Sequence, residues 1–129
     1  MDDEEAVVRA VTDRKSLPKM FPTHRHDPEF WEHLGRAIAS FGFLEDTLKK
    51  AYFSFTGTTP VAPEDVERAV EQWGKRLEKI MIMQLRNLAV EFEGAATSNP
   101  NNSTENISEL VADIKKAAEI RNILCHGSW

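Results

Sequence analysis

The sequence predicts an all-α protein, an antiparallel helical bundle of about four helices built as one domain. Three observations lead there. Apolar residues recur at alternating steps of three and four over long stretches, the spacing that lines one face of a helix. Helix-starting and helix-stopping residues fall where those stripes begin and end. No segment reads convincingly as a strand. At 129 residues the chain is one domain's worth, enough to bury a core without disulfide or metal staples. Within the single domain 1–129, residues 1–27 read as an N-terminal helix and loop and residues 28–126 as the helical core.

The first helical segment, from about Asp3 to Lys15, is short and charged, with Val7, Val8 and Val11 as a narrow stripe. A loop from Ser16 to Asp27 follows, holding Pro18 and Pro22. The second segment opens with Asp27 as N-cap, Pro28 at the first helical position and Glu29 near the positive helix end. It runs to about Phe55 and stops before Thr56-Gly57, with Trp31, Leu34, Ile38, Phe41, Leu48 and Tyr52 as its stripe. The third begins near Pro63-Glu64-Asp65 and ends near Gly94, on Val66, Val70, Trp73, Leu77, Ile80 and Leu88. From Ile80 to Phe92 it is apolar on several faces, which predicts burial against more than one neighbour. A polar loop follows, and Asn102 with Glu105 three residues later suggests a capping box. The fourth segment, from about Ser103 to His126, carries Ile107, Leu110, Ile114, Ala117 and Leu124 and ends at Gly127, a natural C′ residue.

Composition narrows the function classes. The formal net charge is -5, so nucleic-acid binding, if any, must rest on a local basic patch. The lone Cys125 fits a reducing compartment. Acidic residues open the chain with no apolar run behind them, unlike a signal peptide. No stretch approaches the roughly 18 consecutive apolar residues of a membrane span. The expected localisation is cytoplasmic.

Two charges stand in core register. Arg121 lies seven residues after Ile114, on the stripe of the last helix. Glu45 lies seven after Ile38 and seven before Tyr52, on the stripe of the second segment. A buried arginine without a partner is strongly disfavoured, so Glu45 is expected to face Arg121 directly or through a polar neighbour. The bland readings are a purely structural internal ion pair, or an Arg121 that snorkels out at the helix end.

The chain ends Arg121-Asn122-Ile123-Leu124-Cys125-His126-Gly127-Ser128-Trp129. An Arg, a polar residue, a short apolar stretch and then a His, with four residues between Arg121 and His126, resembles the signature of the HEPN domain family. That resemblance implies an α-helical bundle that dimerises. Its active members are metal-independent endoribonucleases, many of them toxins or defence effectors, with no cofactor. Arg121, Asn122 and His126 would then be the catalytic residues, with Glu45 in support. His126 can act as general base or acid near neutral pH, and Arg121 can hold phosphate oxygens in a forked geometry. Asn122 would position the His or the phosphate, and the product would carry a 2′,3′-cyclic phosphate. Many family members continue past the motif. As a toxin it could also have an antitoxin partner. The main alternative is a HEPN-like binding or regulatory partner without catalysis, for example of a nucleotidyltransferase. A third reading is a helical interaction domain whose Arg–His spacing is accidental.

Five steps along an unbroken helix place Arg121 and His126 roughly 140° apart around the axis and about 7.5 Å along it. Two ways out exist. Either the helix stops before His126, helped by Gly127, or two copies pair so that their motifs form one composite site. The apolar excess of the third segment could supply part of such an interface.

Other residues carry weaker signals. Cys125 beside His126 is read as a small core residue rather than a nucleophile, since adjacent helical residues point about 100° apart. His24, His26 and Asp27 have an unspecific metal spacing, and Asp27 already has a capping role; no metal is assigned. His24, Arg25 and His26, with Lys15 and Lys19, make a local basic patch and a candidate RNA-binding loop, against the reading of a merely solvated loop. Lys75, Arg76, Lys79, Lys115 and Lys116 read as exposed helix faces, and Trp31 and Trp73 as packing. Trp129 either covers the motif or frays.

Overall fold

A computed structural model describes residues 13–129. The helix expected from Asp3 lies outside them except at its end, where Arg14–Ser16 form a 3-10 turn. The described residues are all-helical, with no strand. Helix α1 spans Pro28–Gly57, α2 Val66–Met81, α3 Leu85–Ser98 and α4 Ile107–His126.

Asp27 caps α1 as its position predicts, its carboxylate accepting from the Phe30 N–H at 2.8 Å, with Pro28 next. At the far end the hydroxyls of Thr56, Thr58 and Thr59 donate back to the carbonyls of Tyr52, Ser54 and Phe55. Such back-bonding competes with continued helix, and α1 stops there.

The single helix expected from Pro63 to Gly94 is two helices, α2 and α3, broken over Ile82–Gln84. Four consecutive apolar residues, Ile80 to Met83, cannot all face one side of a straight helix. The break buries Ile80 and Leu85 and leaves Ile82 out, 87% exposed. The Lys49 ammonium donates to the freed Met81 carbonyl at 3.1 Å. No Gly or Pro marks the break, so the sequence carries no punctuation for it.

Helix α4 starts at Ile107, not near Ser103, and the capping box does not form. The Asn102 side chain accepts instead from the Thr104 N–H at 2.9 Å. Asn106 takes the N-cap position with φ 56°, a left-handed conformation that asparagine tolerates. The anchor of this loop is Asn99, 5% exposed. Its amide donates to the Phe55 carbonyl and to Thr58 Oγ1, both at 2.9 Å, tying the loop to the end of α1.

The core joins Leu48 and Tyr52 of α1, Ile80 of α2, Leu85, Leu88, Ala89, Phe92 and Ala96 of α3, and Ile107, Val111, Ile114 and Ala118 of α4. Helix α3 is the centrepiece, packed on both α1 and α4, while α2 leans on α1. The true stripe of α4 runs through Val111 and Ala118, one position on from Leu110 and Ala117. The expected core residues Ile38, Val66, Val70 and Leu110 are exposed, because no helix among the described residues covers those faces.

Two outcomes follow from this packing. Leu88→Ala, at a fully buried position, lowers stability by about 2–5 kcal/mol. Val70→Ala changes it by less than about 0.5 kcal/mol. Urea unfolding of the two variants measures both. Burial, then the nearby Glu91, raise the Tyr52 phenol above 10.0, with Arg76 opposing them. The folded state therefore holds that proton more tightly than the unfolded chain, and stability falls as pH rises above 10.0. Tyr52→Phe should flatten that alkaline fall. Because Tyr52 is the only tyrosine, phenolate absorbance reads its titration directly.

Candidate functional site

The end of α4 becomes a rim because α3 is short. Arg86, near the start of α3, pairs with Glu119 of α4 at 3.5 Å. Past that level α4 has lost α3 as a neighbour. Ile120 and Ile123 are 54% and 65% exposed, and Asn122 and His126 are exposed as well. Cys125, expected as a small core residue, is exposed for the same reason: it continues the buried stripe, but nothing stands opposite.

Arg121 turns inward instead. Its Nη2 lies 3.8 Å from Oε1 of Glu45, with the side chains 26% and 21% exposed. That oxygen is buried and has no hydrogen-bond partner. The contact is thus a Coulombic one, too long for a hydrogen bond. A carboxylate oxygen withdrawn from water needs a nearby cation, and Arg121 is the one in contact. Arg121 does not snorkel away from the bundle. A second nitrogen, Nη1, donates to Oδ1 of Asn122 at 3.2 Å. A guanidinium has five N–H donors, so most remain available to an incoming oxyanion.

Helix α4 continues through His126. Of the two ways out, the early stop does not occur, and the separation of Arg121 and His126 on an unbroken helix stands. Gly127 leaves the helix extended, with φ -68°, so left-handed freedom is not why glycine suits it. A Cβ there would lie 2.6 Å from the Trp129 ring and 2.9 Å from the Ile123 carbonyl. The indole folds back over Gly127, and its N–H donates to the Leu124 carbonyl at 3.1 Å. Trp129 therefore packs on the end of α4.

From there an aromatic chain leads to the N-terminal loop. Trp129 lies 5.8 Å from Phe30, and Phe30 stacks on His26 at 4.0 Å. His24 stacks on Phe21 at 5.6 Å. The Trp31 indole donates to the Thr23 carbonyl at 2.8 Å, fixing the loop against α1. His24 and His26, with Lys19, Thr23 and Trp31, border a cavity of about 540 Å³. Arg25 is exposed on the same loop. The structure thus joins the His24–His26 loop to the end of the motif through Phe30 and Trp129, a contact that register alone could not reveal.

No family model, no curated protein and no solved structure matches this chain. Its chemistry must be read from the site itself. One copy offers an arginine with free donors, an adjacent amide and an exposed imidazole, but the helix does not converge them on one point.

The Glu45–Arg121 contact should be measurable. A double-mutant cycle with Glu45→Ala and Arg121→Ala, read by urea unfolding, should give a coupling of about 0.5–3 kcal/mol. A coupling indistinguishable from zero would mean that the two charges meet without stabilising the fold.

Proposed function

We propose that the chain is a HEPN-like, metal-independent endoribonuclease whose active site is completed by a second copy. The observation that carries this reading is the placement of the motif. Arg121 is oriented by Glu45 and Asn122, while Asn122 and His126 are presented on an uncovered rim flanked by exposed Ile120 and Ile123. Ile38, 42% exposed, lies on the α1 face that carries Glu45. Apolar residues that no neighbour covers around a polar centre suit a homodimer interface with a wet core.

In that dimer the two motifs face one another. His126 of one copy takes the proton of an RNA 2′-hydroxyl, and the 2′-oxygen attacks the adjacent phosphorus. The bond to the 5′-oxygen breaks, and that oxygen leaves with a proton from His126 of the other copy. The products are a 2′,3′-cyclic phosphate and a free 5′-hydroxyl. Arg121 donates to the non-bridging oxygens as charge builds on them. Asn122 holds the Arg121 fork, and the His24-Arg25-His26 loop guides the strand. RNA as substrate fits action in the cytoplasm as a toxin or defence effector, and no described helix is long and apolar enough to cross a membrane.

The second reading is a HEPN-like regulatory partner without catalysis, bound for example to a nucleotidyltransferase; an antitoxin would belong to the toxin reading. The inward turn of Arg121 toward Glu45 favours it, since part of that charge serves the fold.

Cleavage of RNA in EDTA by the wild type, Arg121→Ala and His126→Ala separates the two. Each single variant should lose at least about a hundredfold in rate. Because the step uses His126 of both copies, an equilibrated mixture of wild type with excess His126→Ala should lose activity more steeply than the wild-type fraction falls. Equal cleavage by all three proteins removes the assignment to this motif, and no cleavage by any of them favours the regulatory partner.

A further inference from the structure

Helices α2 and α3 follow one another in the chain, yet they barely touch, because each packs against other partners. The space between them is a cleft floored by α1. Its upper part, about 320 Å³, is bordered by Tyr52, Thr56, Trp73, Arg76, Gly94 and Ala95. Its lower part, about 210 Å³, is bordered by Tyr52, Arg76, Lys79 and Glu91. Tyr52 and Arg76 line both. None of these residues belongs to the Arg121–His126 motif.

The polar groups here lack protein partners. Tyr52 is 4% exposed, and among the described residues its hydroxyl makes no hydrogen bond, only its backbone carbonyl accepting one. Arg76 and Lys79 take part in no ion pair among the described residues, unlike Lys75 beside them, which pairs with Glu71 at 3.1 Å. The residue is buried, but its oxygen is not among the buried unpartnered atoms, so the hydroxyl itself opens into the cleft. A phenol is protonated at neutral pH, and burial raises it further, so it is a donor. Two cations against the single acid Glu91 leave the lining with one net positive charge.

The apolar half is also unfilled. The Trp73 indole is fixed by its N–H to Thr56 Oγ1 at 2.7 Å, which sets the ring as a wall. Opposite, Gly94 sits inside α3, where glycine weakens a helix by about 1 kcal/mol relative to alanine. A Cβ at Gly94 would meet nothing within 4 Å. A side chain there would enter the cleft without crowding the protein.

We propose that the cleft between α2 and α3 binds a small organic oxyanion, a single carboxylate or phosphate carried on a ring-sized apolar body. Arg76, Lys79 and the Tyr52 hydroxyl take the oxyanion, and the body lies between Trp73 and the open face of Gly94 and Ala95. Two cations and a neutral phenol donor against one carboxylate suit an anionic head. This inference does not depend on the ribonuclease reading.

The test is a titration of the full chain with benzoate, phenyl phosphate and inorganic phosphate, followed by backbone amide NMR shifts. At least one of the two ring-bearing anions should give saturable shifts around Tyr52, Arg76 and Ala95, and which one does identifies the headgroup. Arg76→Gln, at an exposed position that leaves the core intact, should weaken binding about tenfold. Gly94→Leu should abolish it while leaving urea stability at or above the wild-type value. No saturable shift with either ring-bearing anion overturns the proposal. So does undiminished binding by Gly94→Leu, or inorganic phosphate binding as tightly as phenyl phosphate.

Discussion

Helix α3 spans fourteen residues, against thirty in α1 and twenty in α4, and it is the helix on which both longer ones pack. That mismatch in length governs the molecule. Where α3 is present, its face of Leu85, Leu88, Ala89, Phe92 and Ala96 closes the core from two sides. Where it is absent, α1 and α4 must cover one another unaided. The Arg86–Glu119 pair marks the boundary. On one side of it the α4 stripe is Ile107, Val111, Ile114 and Ala118, all buried. On the other side the next position of the same stripe is Arg121. A guanidinium is tolerated there because burial is partial and Glu45 stands opposite. A leucine would face an incomplete wall, and an arginine deeper in the stripe would be fully desolvated. The charge sits where its desolvation cost and its solvent access are both intermediate.

The break between α2 and α3 has a related origin. Once α3 is committed to α1 and α4, α2 can share only α1 with it. The apolar run from Ile80 to Met83 supplies residues for both helices but cannot satisfy both in one straight rod. Separating the helices buries Ile80 and Leu85 together and leaves the space above Tyr52 open. Cleft and rim are thus two consequences of one central helix that is too short to fill the bundle alone.

Much of this arrangement is legible in the residues, and the failures have physical reasons. Asp27-Pro28 locates the start of α1 because capping is a local matter of one carboxylate and three N–H groups. Glu45 and Arg121 announce themselves because charges at core spacing need each other. The break at Ile82–Gln84 is invisible because it is a tertiary decision, made by competing contacts rather than by a breaker residue. Cys125 is misjudged for the same reason. Periodicity reports which face of a helix a residue occupies, not whether a neighbour reaches that far along. The start of α4 is missed because Asn102 finds a nearer donor in Thr104, and a capping box competes with every turn its residues can make. Trp129 carries no periodic signal at all; it is held by the Leu124 carbonyl and meets Phe30, almost a hundred residues earlier in the chain.

The Glu45–Arg121 contact also bears on what the motif can do. At 3.8 Å the pair gains Coulomb energy without fixing the guanidinium by a hydrogen bond. An arginine locked in a bidentate pair would have to break it to meet a phosphate, and the cost would be charged against binding. An arginine with no acid nearby would be more mobile and would lose more entropy on engaging a ligand. The intermediate arrangement holds the fork near the rim, leaves most of its donors unused and keeps a carboxylate behind it. Because Arg121 and His126 lie on different sides of one helix, a phosphate bound to this fork is approached most easily by an imidazole that comes from elsewhere. On the proposed reading, that imidazole is the one a second copy would bring, and the geometry of the helix rather than the motif is what calls for it.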